Sequence, residues 1–166
     1  MMHYTLPYFG NLPIDDLQEY YDVAIEINGS TISLDLNFDE ATIDVPTMEQ
    51  LKSLIDDIGK YDKLNNKYIL EDYNDEEGDT VRFYIEHHLE EFSQEALSGL
   101  VNFHDKAVTP EDQLLKKLKL IRVGFYPHSD ENFVVFDYSI GPDITDYLIA
   151  INANKHGELD YMSMES

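Results

Sequence analysis

The dipeptide Asn28-Gly29 constrains this chain more than any other pair of neighbours. Before it, Tyr21, Val23, Ile25 and Ile27 alternate with Asp22, Ala24, Glu26 and Asn28. After it, Ile32, Leu34, Leu36 and Phe38 alternate with Ser33, Asp35 and Asn37. A period of two sends the apolar set to one face of a strand and the polar set to the other. Asparagine and glycine both accept the positive φ angles of a type I′ turn, whose twist matches that of two antiparallel strands. The segment therefore predicts a hairpin with one apolar face and one acidic, solvated face. Upstream, Tyr4 to Phe9 predicts a short edge strand, because Pro7 cannot donate to a ladder.

The period then changes. Pro46 suits a first helical position, and Met48, Leu51, Leu54, Ile55 and Ile58 form a stripe that Gly59 can end. A second stripe runs through Val81, Tyr84, Ile85, His88, Leu89 and Phe92, and a shorter one through Ala96, Leu97, Leu100 and Val101 from a start at Ser93. Thr109-Pro110-Glu111-Asp112 combines a cap, a proline and two acids facing the helix dipole. Strand-like segments return at Leu118 to Tyr126, Asn132 to Ile140, Asp146 to Asn152 and Glu158 to Met164, joined by short turns. Connections this short favour an antiparallel meander. The expected architecture is α+β: a mostly antiparallel sheet from the N-terminal hairpin and the C-terminal meander, with a central helical segment packed on one face. Residues 1–166 are expected to form one domain.

Charge narrows the function classes. Eleven Lys and Arg stand against 34 Asp and Glu, a net −23. A chain that tracks phosphates needs a basic stripe, and here Lys116, Lys117, Lys119 and Arg122 are the one concentration, better suited to internal counter-charge. Neither nucleic acid nor an anionic membrane is an expected partner. The absence of cysteine excludes disulfides, a thiol nucleophile and Cys-ligated metals, and fits a reducing compartment. The start, Met-Met-His-Tyr-Thr-Leu-Pro, lacks a signal-peptide pattern, and no run approaches the ~20 apolar residues of a membrane span. A cytoplasmic location is the expectation. With 43% hydrophobic residues the chain is expected to be folded throughout.

Catalytic motifs are incomplete. Glu86, His87, His88 and Glu91 have helical spacings that can bring two ligands to one metal, but neither the zincin pattern nor its inverse is present. His88 falls in the apolar stripe, where a hydrogen-bonded core histidine is the plainer expectation. Asp35-x-Asn37-x-Asp39 begins like a calcium loop, yet Glu40 and Pro46 replace its glycine and its bidentate glutamate. In Asp72-x-Asn74-x-Glu76 the glycine, Gly78, comes one residue late and Phe83 takes the twelfth position. There is no Gly-x-Ser-x-Gly elbow, Walker loop or dinucleotide fingerprint. With 34 acids, carboxylate pairing cannot be read from spacing. No cofactor is expected.

Residues 71–95 hold ten acids against Arg82 alone. Folded together they would make a concentrated negative surface able to steer a basic partner. Asp72, Asp75, Glu76, Glu77, Asp79, Glu90 and Glu91 are the candidate partner-binding residues. Several blocks add a resemblance: Phe9-Gly10-Asn11-Leu12, Glu19-Tyr20-Tyr21-Asp22, Asn28-Gly29 with Leu34-Asp35-Leu36-Asn37-Phe38, Tyr84-Ile85-Glu86-His87-His88-Leu89, Arg122-Val123-Gly124-Phe125-Tyr126-Pro127, Phe136-Asp137-Tyr138-Ser139-Ile140-Gly141 and Met164-Glu165-Ser166. Together they resemble the bacterial domain-of-unknown-function family number two-thousand-and-four. That resemblance implies a small single-domain bacterial protein and carries no activity, cofactor or catalytic residue. The leading expectation is a non-enzymatic acidic protein that binds a basic protein, immunity-like or accessory by analogy. The alternatives are a metal-dependent or acid/base hydrolase built on Glu86, His87, His88 and Glu91, and a solitary acidic domain without an electrostatic partner.

Overall fold

In the computed structural model, which describes residues 2–166, Asn28 and Gly29 adopt φ angles of 51° and 83°. This is the double positive-φ turn that the dipeptide predicts. It joins β3 (Tyr20–Ile27) to β4 (Ser30–Asn37), antiparallel, with Ile27 opposite Ser30 and Tyr20 opposite Asn37. Ile32, Leu34 and Leu36 are buried while Thr31 and Ser33 are exposed, so the alternation holds along β4 until Asp35, a carboxylate buried on the polar face.

The protein is α+β. A six-stranded, mostly antiparallel sheet runs β3-β4-β5-β6-β7-β8, with β5 (Lys119–Phe125), β6 (Val134–Ser139), β7 (Leu148–Ala153) and β8 (Leu159–Glu165) contributed by the last third of the chain. The hairpin and the later strands meet where β4 and β5 pair parallel, Ser33 opposite Arg122 and Leu36 opposite Phe125. A parallel pair needs a long crossover, and the helices all lie in that stretch of sequence.

Two expectations are corrected. The edge strand over Tyr4 to Phe9 is instead a separate hairpin, β1 (His3–Leu6) with β2 (Gly10–Pro13), and Pro7 lies in its turn. Missing its N–H, Pro7 ends the first strand rather than edging a longer one. Gly59 does not end the helical region either. Helix α1 (Val45–Asp56) stops at Asp57, and a second helix, α2 (Ile58–Asn74), follows at once. Its inward positions are Tyr61, Leu64, Asn65, Tyr68 and Ile69, so tyrosine and asparagine dilute the apolar stripe that would have announced it.

Two later helices start at the caps the sequence predicts, whereas α1 starts at Val45, one residue before Pro46, which the sequence reading puts at the first helical position. Asp44 accepts the Thr47 N–H at 2.8 Å for α1, Ser93 caps α4 (Gln94–Leu97), and Thr109 caps α5 (Pro110–Leu115). Hydrogen bonding with Thr47 holds the Asp44 carboxyl below the ordinary value. Helix α3 (Thr80–Glu91) differs: Asp79, at its N-cap position, makes no side-chain cap. Asp72, near the end of α2, accepts the Val81 N–H at 2.9 Å in its place.

The chain divides into two compact units. One comprises the stretch up to Asn65 with Leu120–Asp137 and Ile151–Tyr161, and its core includes Leu34, Leu36, Met48, Leu51, Val123 and Phe125. The other comprises Asn66–Lys119, Tyr138–Ala150 and Met162–Ser166, and is built around Val81, Tyr84, Ile85, Leu97, Leu114 and Tyr138. Among the described residues no helix is long and apolar enough to cross a membrane.

Candidate functional site

His88 is fully buried, and both of its ring nitrogens are engaged. Nδ1 lies 2.7 Å from the Tyr84 carbonyl and Nε2 lies 2.8 Å from the Thr145 hydroxyl. A carbonyl only accepts, so Nδ1 carries the proton and Nε2 accepts from Thr145. Thr145 Oγ1 in turn accepts the Tyr147 N–H at 3.1 Å, while the Tyr84 hydroxyl donates to the Tyr147 carbonyl at 3.0 Å. Burial pushes the His88 pKa below its ordinary value, the Tyr84 hydrogen bond opposes that, and neighbouring His87 adds to it. This imidazole is neutral and closed within the fold.

The structure does not assemble Glu86, His87, His88 and Glu91 into a ligand set. Glu86 and Glu91 are exposed, and half-buried His87 sets its ring edge-on to Tyr147 at 4.7 Å. Among the described residues no three His, Asp or Glu side chains are grouped to hold a metal. The Asp72 to Asp79 turn is likewise occupied with itself: Asp72 caps α3, and Asp75 Oδ1 accepts the Glu77 N–H at 3.0 Å.

The acidic segment forms one extended surface on α3 and the turn before it. Asp75, Glu76, Glu77 and Asp79 are exposed at the N-terminal end, Glu86 along the helix, and Glu90 and Glu91 at the C-terminal end. Twelve residues at ~1.5 Å each separate the two ends by roughly 18 Å. Asp72 is the exception among the candidate residues, half-buried and acting as a cap. Arg82, the segment's single cation among its Lys and Arg positions, turns away: its Nη2 donates to the Tyr73 carbonyl at 2.7 Å and the guanidinium lies 5.9 Å from the Tyr73 ring centre. Among the described residues, none of the ten carboxylates forms an ion pair. Phe83, 59% exposed, stands in the middle of the surface with its ring stacked on His87 at 6.1 Å.

One cluster escaped sequence reasoning. On the polar face of the sheet, Arg122 Nε donates to Asp35 Oδ1 at 2.7 Å and Nη2 to Asp35 Oδ2 at 2.8 Å, a bidentate pair. Nη1 donates to Asp137 Oδ2 at 3.0 Å, and Nη2 also reaches the Tyr126 hydroxyl at 2.8 Å. Burial works against the arginine's charge, but the bonds to Asp35, Tyr126 and Asp137 outweigh it and hold the Arg122 pKa above its ordinary value. Of the basic stretch, Arg122 is therefore the internal counter-charge, whereas Lys116, Lys117 and Lys119 are exposed. The sequence offers the basic stretch as internal counter-charge but not which cation or which acids: Asp35 and Asp137 lie at strand positions where alternation alone predicts solvent.

Fold and surface together define an acidic α+β protein whose distinctive exposed feature is one anionic helix, without an ion pair among the described residues. Comparison with protein-family models, with curated proteins and with solved structures returns no match to this chain.

Proposed function

We propose that this protein binds a basic protein partner, and that α3 with its leading turn is the surface that does so. The observation that carries the reading is the set of ten carboxylates that form no ion pair among the described residues, whose one neighbouring arginine is held by Tyr73. Two further features support it. Glu90 and Glu91 sit at the helix C-terminus, where the dipole disfavours negative charge by ~0.3–1 kcal/mol each, a cost that a cationic partner relieves. Phe83 supplies an exposed apolar centre within a charged rim, the usual anatomy of an interface. An accessory or immunity-like role, and membership of the family that the sequence resembles, extend this reading by analogy.

Affinity capture from the native lysate at low salt tests it. The expected result is one stoichiometric basic protein that elutes only as salt rises, and that is lost when Glu76, Glu77, Glu90 and Glu91 are all changed to lysine. Undiminished capture by that charge-reversed variant would remove the surface assignment.

A further inference from the structure

The second half of α2 and helix α5 leave a groove of about 500 Å³ open between them. From α2 it is lined by Asn66, Ile69, Leu70, Tyr73 and Asn74, the spacing of one helix face over two turns, roughly 12 Å long. Val108, Leu115 and Leu118 complete an apolar floor, and the lining residue Leu70 is 49% exposed to solvent. The mouth is charged. Asp112 lines it, and the Tyr73 phenol, raised in pKa chiefly by burial, also feels the carboxylates of Asp112, Glu111 and Glu86 against the opposing charge of Arg82. Lys116, one turn beyond Asp112, also lines the groove. Tyr73 and Asn74 lead directly into the acidic turn.

We propose that this groove seats a basic amphipathic helix of the partner, its apolar stripe against Leu70, Tyr73 and Leu115 and its cations toward Asp112 and the acidic turn after Asn74. The inference rests on the reading of the acidic surface as a partner site and names the chemistry of what binds there. Length selects a helix over a lone side chain, because apolar anchors at i, i+3 or i+4 and i+7 span ~10 Å, close to the groove's own two turns. Charge selects a basic one: Asp112 lines the groove, and the exposed acids Asp75, Glu76 and Glu77, directly after its lining residue Asn74, continue the negative field beyond it.

The test uses two fluorescent synthetic peptides of the same leucine and lysine content, one with leucines at the helical period and one shuffled to destroy it. At low salt the full-length protein should bind the patterned peptide at least ~10-fold more tightly than the shuffled one. Leu70→Ser and Ala107→Trp, the first thinning the apolar floor and the second filling the mouth at an exposed position, should each erase that preference. The residual binding of the shuffled peptide should stay as it was, which also reports an intact fold. Equal affinities, or a preference that survives both substitutions, would overturn the groove. If binding of both peptides then disappears in the four-lysine variant at Glu76, Glu77, Glu90 and Glu91, the acidic surface stands without the groove. If neither peptide binds the unaltered protein, both readings are overturned.

Discussion

Arg122 bridges two carboxylates that sit almost out of water, Asp35 at 2% and Asp137 at 5% exposure. Removing the cation leaves both charges desolvated, so Arg122→Leu is expected to lower unfolding free energy by about 3–5 kcal/mol in chemical denaturation. Replacing all three members with apolar residues should recover most of that loss; no recovery would mean that packing, not charge, sets the cost. Gly124 belongs to the same device, since a Cβ there would collide with the Arg122 guanidinium. His88 makes a pH-dependent contribution. Its folded pKa lies below the ordinary 6.5, so the unfolded chain takes up a proton that the native imidazole refuses as pH falls below that value. Stability from the His88 network is therefore complete above pH ~6.5 and declines below it, until the native ring protonates at its depressed value. The melting-temperature gap between the protein and His88→Gln should narrow from pH 7.5 to pH 5; a constant gap would exclude this linkage. The stripe position of His88 made its burial legible, but its partner Thr145 lies 57 residues away and no periodicity points there.

At the scale of elements, the legible parts are those in which one short stretch carries the whole instruction. The β3–β4 hairpin encodes its turn and both strand faces within twenty residues, and α1, α4 and α5 carry their own caps. Helix α2 was not legible, because Asn65 and its tyrosines fill positions where a stripe is sought among aliphatic residues. The start of α3 was legible only in part, since its cap comes from the preceding helix. Asp72→Ala should cost about 0.5–2 kcal/mol by leaving the Val81 N–H unbonded, while Asp79→Ala, at the position a sequence rule would choose, should cost less. Equal losses in thermal denaturation would count against the borrowed cap.

At the scale of the whole molecule, a charge of −23 repels itself. Sodium chloride raised from ~0.01 M to ~1 M shortens the screening length from ~30 Å to ~3 Å and should raise the melting temperature, whereas a neutral protein of this size would change little. A melting temperature that falls across that range would show that ion pairs outweigh the repulsion. Composition made this field legible, and with it the acidic surface, but not that Asp72 would turn inward or that Arg82 would face Tyr73. Those depend on which helix lies beside which.

The parallel pairing of β4 with β5 also sets the order of assembly. The β3–β4 hairpin closes a two-residue turn, which takes on the order of 1–10 μs, whereas Arg122 must find Asp35 across 87 residues. Loop-closure entropy and the intervening helices are expected to place that encounter late, after the rate-limiting barrier. Arg122→Leu should accordingly accelerate unfolding while leaving the refolding rate nearly unchanged, and Gly29→Val, which spoils the turn, should slow refolding instead. Stopped-flow measurements of both rates distinguish the two cases. A clasp that closes last governs how long the native state persists, not how quickly it is reached.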